Sequence, residues 1–125
     1  MEIRGVDFVV HYVPNLEEAV SFYRDTLGLK LELHNPDWNW AEFSLPPITL
    51  VLFGTYPGAP LTNGKGGTGL ALAVDDIDDA VQELSRNGVD VEWGPNELST
   101  CQVAMITDPG GNPIFLHKRK DGSWG

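Results

Sequence analysis

The chain contains a single cysteine, Cys101, so it cannot close an internal disulfide. Its stability must come from packing, which fits a reducing compartment such as the cytoplasm. No apolar run approaches the ~18 residues that a membrane-spanning helix requires. The opening MEIRGVDFVV has no basic region followed by an apolar stretch and a small-residue cleavage site, so no secretory signal is expected. Basic residues are also scarce: 8 Lys and Arg stand against 18 Asp and Glu, for a net charge of -10. Such a chain repels nucleic acid and anionic membrane, which excludes both as expected partners. The one basic cluster, Lys118-Arg119-Lys120, reads as a solvated end. What is present is the material of one domain, 125 residues long with 42% hydrophobic residues, enough to bury a core unaided.

The sequence repeats itself, and repeats decide architecture before any local detail. Val13-Pro14-Asn15-Leu16 opens a helical pattern with Leu16, Ala19, Val20, Tyr23 and Leu27 on one stripe. Val74-Asp75-Asp76-Ile77 opens a second, with Ile77, Ala80, Val81 and Leu84 on its stripe. Asn15 and Asp76 are placed to cap the two helix N-termini, Glu18 completes a capping box, and Asp78 and Asp79 suit the positive end of the dipole. Gly28 and Gly88 stand where left-handed stops are needed. Strands are expected at Val6–Val13, Lys30–His34, Asn39–Leu45 and Ile48–Phe53, and again at Gly69–Val74, Val89–Trp93, Cys101–Thr107 and Pro113–Lys118. The third and fourth strands of each copy are joined by turns at Pro46-Pro47 and at Asp108–Asn112. The fold class is therefore α+β: two tandem βαβββ modules forming curved mixed sheets around a cavity, helices on the outer face. The chain is read as one domain, with module one at 3–53, a Gly- and Pro-rich linker or flap at 54–68, module two at 69–118 and a tail at 119–125.

Three local motifs carry a resemblance. The first strand leading into Val13-Pro14-Asn15-Leu16 and a helix ending Phe22-Tyr23-Arg24-Asp25-Thr26-Leu27-Gly28-Leu29 is one. Val74–Ala80 and the hairpin Asp108–Leu116 are the others. In this order and spacing they resemble the glyoxalase/bleomycin-resistance/dioxygenase (vicinal oxygen chelate) superfamily over residues 3–118. The resemblance implies a cavity enclosed by two βαβββ copies, from one chain or from two chains of a homodimer. In metal-using members it implies four His, Glu or Gln ligands, one on the first and one on the fourth strand of each copy. Carried onto this sequence, those positions fall on Phe8, Val51, Gly69 and Phe115. None has a side-chain lone pair, and the neighbours of Val51, Leu50 and Leu52, offer none either. No metal and no cofactor are expected.

What remains is a cavity with another lining. Strand alternation puts Val10 and Tyr12 in phase with Phe8, Phe53 with Val51, Ala71 with Gly69, and His117 with Phe115. Small residues on the fifth strand leave room, and aromatic walls suit a flat ligand. A filled, closed core is the alternative. Trp38, Trp40 and Glu42 are expected to share one strand face, where two indoles and a carboxylate could hold a flat cation or, equally, build an interface. The expected ligand-binding set is thus Phe8, Val10, Tyr12, Trp38, Trp40, Glu42, Val51, Phe53, Gly69, Ala71, Phe115 and His117. His11 should point to the helix side and His34 should be exposed. Cys101 has no activating neighbour in sequence, and Trp124 lies in the tail.

These features point to a metal-free, dimeric, cytoplasmic protein that sequesters a planar aromatic, cationic small molecule, in the manner of the resistance members of the superfamily. The alternative is a lyase, isomerase or dioxygenase with an atypical site, in which His117, Glu42 or Tyr12 would carry acid–base chemistry. An interaction module with a filled cavity is a third reading.

Overall fold

The computed structural model describes residues 1–56, 67–107, 109 and 113–124. Most of the Gly54–Thr68 linker and of the Asp108–Asn112 turn lies outside the described residues. The element order is β1 (Ile3–Val13), α1 (Leu16–Ser21), β2 (Lys30–Asn35), β3 (Trp40–Leu45), β4 (Ile48–Gly54), β5 (Gly67–Val74), α2 (Ile77–Arg86), β6 (Val91–Glu97), β7 (Cys101–Thr107) and β8 (Pro113–Arg119). Two βαβββ copies are present, as the α+β reading requires. Among the described residues no helix is long and apolar enough to cross a membrane.

The chain forms two compact units. One is Phe8–Gly69; the other joins Met1–Asp7 to Leu70–Gly125. In the first unit the strand order is β2-β3-β4-β1, with β1 and β4 parallel and the other neighbours antiparallel. In the second it is β6-β7-β8-β5, with β5 and β8 parallel. The topology of one unit is that of the other.

Both helices begin as their caps dictate. Asn15 Oδ1 accepts the Glu18 N–H at 3.0 Å, and Asp76 Oδ1 accepts the Asp79 N–H at 3.0 Å. Leu16 and Val20 then pack on Ala41, Phe43, Leu50 and Leu52, with Val13, Ala19, Tyr23 and Leu29 around them. In the second unit Ile77 and Ala80 pack on Val74, Ala104 and Leu116, with Val81 and Leu84 beside them. Full burial of each large side chain contributes roughly 1.5–3 kcal/mol, which makes these stripes the main support of both helices.

The helices end differently. The α2 end is a regular left-handed stop: Val89 N–H reaches Leu84 O at 3.0 Å across Gly88, at φ +80°. After Ser21 the first helix widens into a π-helical turn, Phe22–Thr26, in which Leu27 N–H donates to Phe22 O at 3.0 Å. The wide turn rotates the residues after it. Leu27, expected on the buried stripe, is 54% exposed, and Leu29 packs on the core in its place.

Two other departures have local causes. Strand β6 begins two residues later than expected and runs on to Glu97 through an irregularity between Trp93 and Asn96. Gly94 makes this route available: its φ is +81°, and a Cβ there would sit 2.7 Å from Val103 O. At the start of β3, Pro36–Trp38 forms a 3-10 turn and Asn39 adopts a left-handed conformation at φ 56°. The Asn39 side chain donates to Gly54 O at 2.6 Å, and a Cβ on Gly54 would collide with that amide.

Candidate functional site

In the first unit, register builds a face. Val10 pairs with Val51 and Tyr12 with Phe53 across β1 and β4; Phe53 pairs with Trp40 and Val51 with Glu42 across β4 and β3. Alternation puts Phe8, Val10, Tyr12, Trp40, Glu42, Val51 and Phe53 on one side, away from the α1 core. Their rings touch in sequence. Phe8 meets Trp40 edge-on at 6.2 Å, Trp40 meets Phe53 edge-on at 5.3 Å, and Tyr12 stacks on Phe53 at 6.0 Å with a 27° tilt. Trp40 Nε1–H donates to Glu42 Oε2 at 2.8 Å, so the carboxylate is held beside the indole. Phe8, Val10, Tyr12 and Val51 are buried; Trp40, Glu42 and Phe53 are half-buried. Burial pushes the Tyr12 phenol up to about 12, which keeps it protonated near neutral pH and unsuited to act as a base. Trp38 is not on this face. It closes the 3-10 turn, 67% exposed, because the left-handed Asn39 breaks the alternation before β3 begins.

The second unit has a different lining at the matching places. Ala71 pairs with Phe115 and Ala73 with His117. His117 is buried and its Nδ1–H donates to Asp7 Oδ2, while Arg119 Nη2 lies 3.3 Å from Asp7 Oδ1. Asp7 has no exposed surface at all, and an ionised carboxylate at such depth survives only with partners of this kind. Sequence reading passes over Asp7 because it lies out of phase with Phe8. The available signal is a lone acid inside the apolar run Val6–Val10, which requires a buried cation or donor from elsewhere in the chain.

His117 and Arg119 border a cleft of about 290 Å³ that Arg4, Ala73, Lys118 and Trp124 also line. Arg4 is ion-paired with Asp75 at 2.8 Å, and its guanidinium sits 5.8 Å from the centre of the Trp124 ring. Trp124 can lie there because Gly5 has no side chain; a Cβ would run into the ring. Trp124 therefore belongs to a wall of this cleft and not to a free tail.

The remaining candidates have structural surroundings. His11 faces the helix side, stacking on Tyr23 at 6.4 Å and sharing a 2.9 Å hydrogen bond with Thr68 Oγ1. His34, expected to be exposed, is half-buried and lies 2.9 Å from Glu17 Oε1, which draws the ring onto the helix. Cys101 is buried, and that burial raises its thiol above the ordinary range, which suppresses the thiolate. Gly69 is buried on β5.

The four positions implied by the resemblance do not fit a metal ion. Phe8 and Phe115 are rings, Val51 is aliphatic, and Gly69 has no side chain. Among the described residues no group of three or more His, Cys, Asp or Glu side chains could hold one elsewhere. Asp7 and His117 are two such groups, and the Arg119 guanidinium lies beside Asp7.

Comparison with known proteins agrees with this geometry at the level of the fold. A lactoylglutathione lyase of Neisseria meningitidis serogroup A is 30% identical over 121 residues, covering 88% of this chain and 87% of that protein. The metallothiol transferase FosB of Staphylococcus epidermidis is 24% identical over 118 residues, covering 94% and 83%. A structure of Streptomyces coelicolor methylmalonyl-CoA epimerase in complex with 2-nitronate-propionyl-CoA superposes with a TM-score of 0.77 at 18% identity, over 99% of this chain and 100% of that one. A sequence model of one family matches residues 5–116. With the duplicated βαβββ topology already established, the chain belongs to the Glyoxalase/Bleomycin resistance protein/Dioxygenase superfamily.

Proposed function

We propose that this chain is a metal-free small-molecule-binding member of the superfamily, which holds a planar aromatic, cationic compound and sequesters it without transforming it. One observation carries the reading: the position of the first metal ligand is taken by Phe8, the start of a run of touching rings whose second member, Trp40, holds a carboxylate beside it. Phe8, Trp40, Phe53 and Tyr12 offer ring faces and edges to a flat molecule, and Glu42 offers it a negative charge. A desolvated cation over an indole gains about 2 kcal/mol, and stacking adds further. The acidic net charge favours the approach of a cation. A homodimer, in which a second copy completes the pocket, is part of the proposal.

Titration with phenazine, anthracycline or bleomycin-type compounds, followed by tryptophan fluorescence, tests it. Saturable quenching that is weakened in Trp40→Phe and in Glu42→Gln is expected. No quenching by any cationic aromatic compound up to millimolar concentration removes the proposal. So does stoichiometric Zn, Ni, Mn or Fe in the purified protein by elemental analysis.

A second reading is favoured by the Asp7–His117 pair. A carboxylate that orients an imidazole beside a cleft is the arrangement of a general base, and the curated relatives are named as enzymes. On that reading the chain is a lyase or isomerase in which His117 moves the proton. Turnover of a candidate substrate that is lost in His117→Gln while the fold is retained would select it over sequestration.

A further inference from the structure

The aromatic face of the first unit ends in a buried hydroxyl. The parallel ladder of β1 and β4 runs one residue past β4, because Thr55 N–H donates to Val13 O at 2.8 Å. Thr55 therefore keeps the alternation of Val51 and Phe53 and stands on their side of the sheet. It is 9% exposed, and its Oγ1 is buried with no hydrogen-bond partner among the described residues. Buried hydroxyls are almost always paired, since burial strips them of water and only a partner offsets the loss. A valine would fill the same space without that cost, on a chain segment that is otherwise largely apolar. Among the described residues nothing repays the hydroxyl for being there.

We propose that the missing partner is the ligand: the compound held on the aromatic face carries a hydroxyl, carbonyl or amine at the end of its ring system remote from its cationic group, and Thr55 recognises it. The inference rests on the flat-cation reading given above and narrows it. Register sets the layout. Glu42 pairs with Val51, and both Trp40 and Tyr12 pair with Phe53 from its two flanks; Thr55 is the next residue on that side of the chain. The carboxylate thus stands at one end, the rings in the middle and the hydroxyl at the other end. Val51 and Thr55 are four residues apart, a span of about 13 Å on an extended strand, which suits three linearly fused rings with a substituent at each end. A threonine hydroxyl both donates and accepts, so each of the three named groups can pair with it.

The test uses the full chain and two anthracenes of matched size. Each bears an aminomethyl group at one end and, at the other, either a hydroxyl or a methyl; binding is read by fluorescence anisotropy of the anthracene. The hydroxyl compound is expected to bind about fivefold more tightly than the methyl compound, the worth of one buried hydrogen bond. Thr55→Val is expected to abolish that preference and Thr55→Ser to retain it, a ratio that a purely structural role for Thr55 would not move. Without ligand, Thr55→Val is expected to raise the Tm by about 3 °C, because it removes an unpaired hydroxyl and keeps the shape. Saturable binding of both compounds without preference, or a preference that survives in Thr55→Val, overturns the inference and leaves the flat-cation reading standing. A Tm lowered by Thr55→Val also overturns it, since the hydroxyl would then have a partner in the free chain. Failure of both compounds to bind removes the flat-cation reading, and the inference with it.

Discussion

The two units share a chain path and differ in what they show on the same side of it. Where Val10 and Tyr12 pair with Val51 and Phe53 in the first, Ala71 and Ala73 pair with Phe115 and His117 in the second. One has bulk on both parallel strands and closes into a run of rings. The other has alanine on one strand, and the freed space admits a buried acid, an imidazole and a cleft. The topology is held by the helix-side residues, such as Leu52 and Leu116, which are alike in both units and buried. The opposite side is free to diverge, which is how one fold hosts unrelated chemistry.

The sharpest way to break the comparison is Asp7→Ala. It strips His117 and Arg119 of their shared carboxylate, and a loss of about 3 kcal/mol is expected in urea unfolding. Asp7→Asn, which keeps one hydrogen bond, should lose less. Helix α1 offers the next effect. Val20→Ala should cost about 2 kcal/mol because Val20 is buried against β3 and β4, whereas Leu27→Ala on the exposed side of the π turn should be nearly neutral. Equal losses at the two positions would mean that the helix is regular in solution. The caps should show the symmetry that the linings lack: Asn15→Ala and Asp76→Ala are each expected to cost about 1 kcal/mol by thermal or urea unfolding.

The smallest effect at neutral pH, and a distinct one in alkali, belongs to Tyr12. Its phenol is raised by burial to about 12, above its ordinary value of 10.0. Between those two values the folded chain holds a proton that the unfolded chain has released, so stability falls as pH rises through that window and is undiminished below it. Absorbance near 295 nm should show one of the three tyrosines titrating late, and Tyr12→Phe should abolish that phase while leaving stability at pH 7 unchanged.

Most of the fold is legible because it is written twice. The caps Asn15 and Asp76, the stops Gly28 and Gly88 and the alternation along eight strands each have a partner copy to agree with. The π turn escapes notice because nothing in Phe22–Thr26 opposes a regular helix; the widening is chosen by packing of Tyr23 and Leu29. Trp38 is misplaced by simple alternation because one left-handed residue, Asn39, resets the phase of everything before it, and only the backbone of Gly54 explains why Asn39 is there. The aromatic face does obey that alternation. The Asp7–His117–Arg119 cluster is hidden, since it joins residues from opposite ends of the chain and no local pattern announces such a pair.

That cluster also bears on how the protein can be taken apart. By sequence, the natural place to divide the two repeats is the glycine-rich stretch after β4. A cut there would leave the later repeat without Met1–Asp7, the segment that packs with it. The severed half would keep its imidazole and guanidinium but lose the acid that anchors them. Independent halves would therefore need the first seven residues grafted onto the second, as in a circular permutant that starts at Phe8.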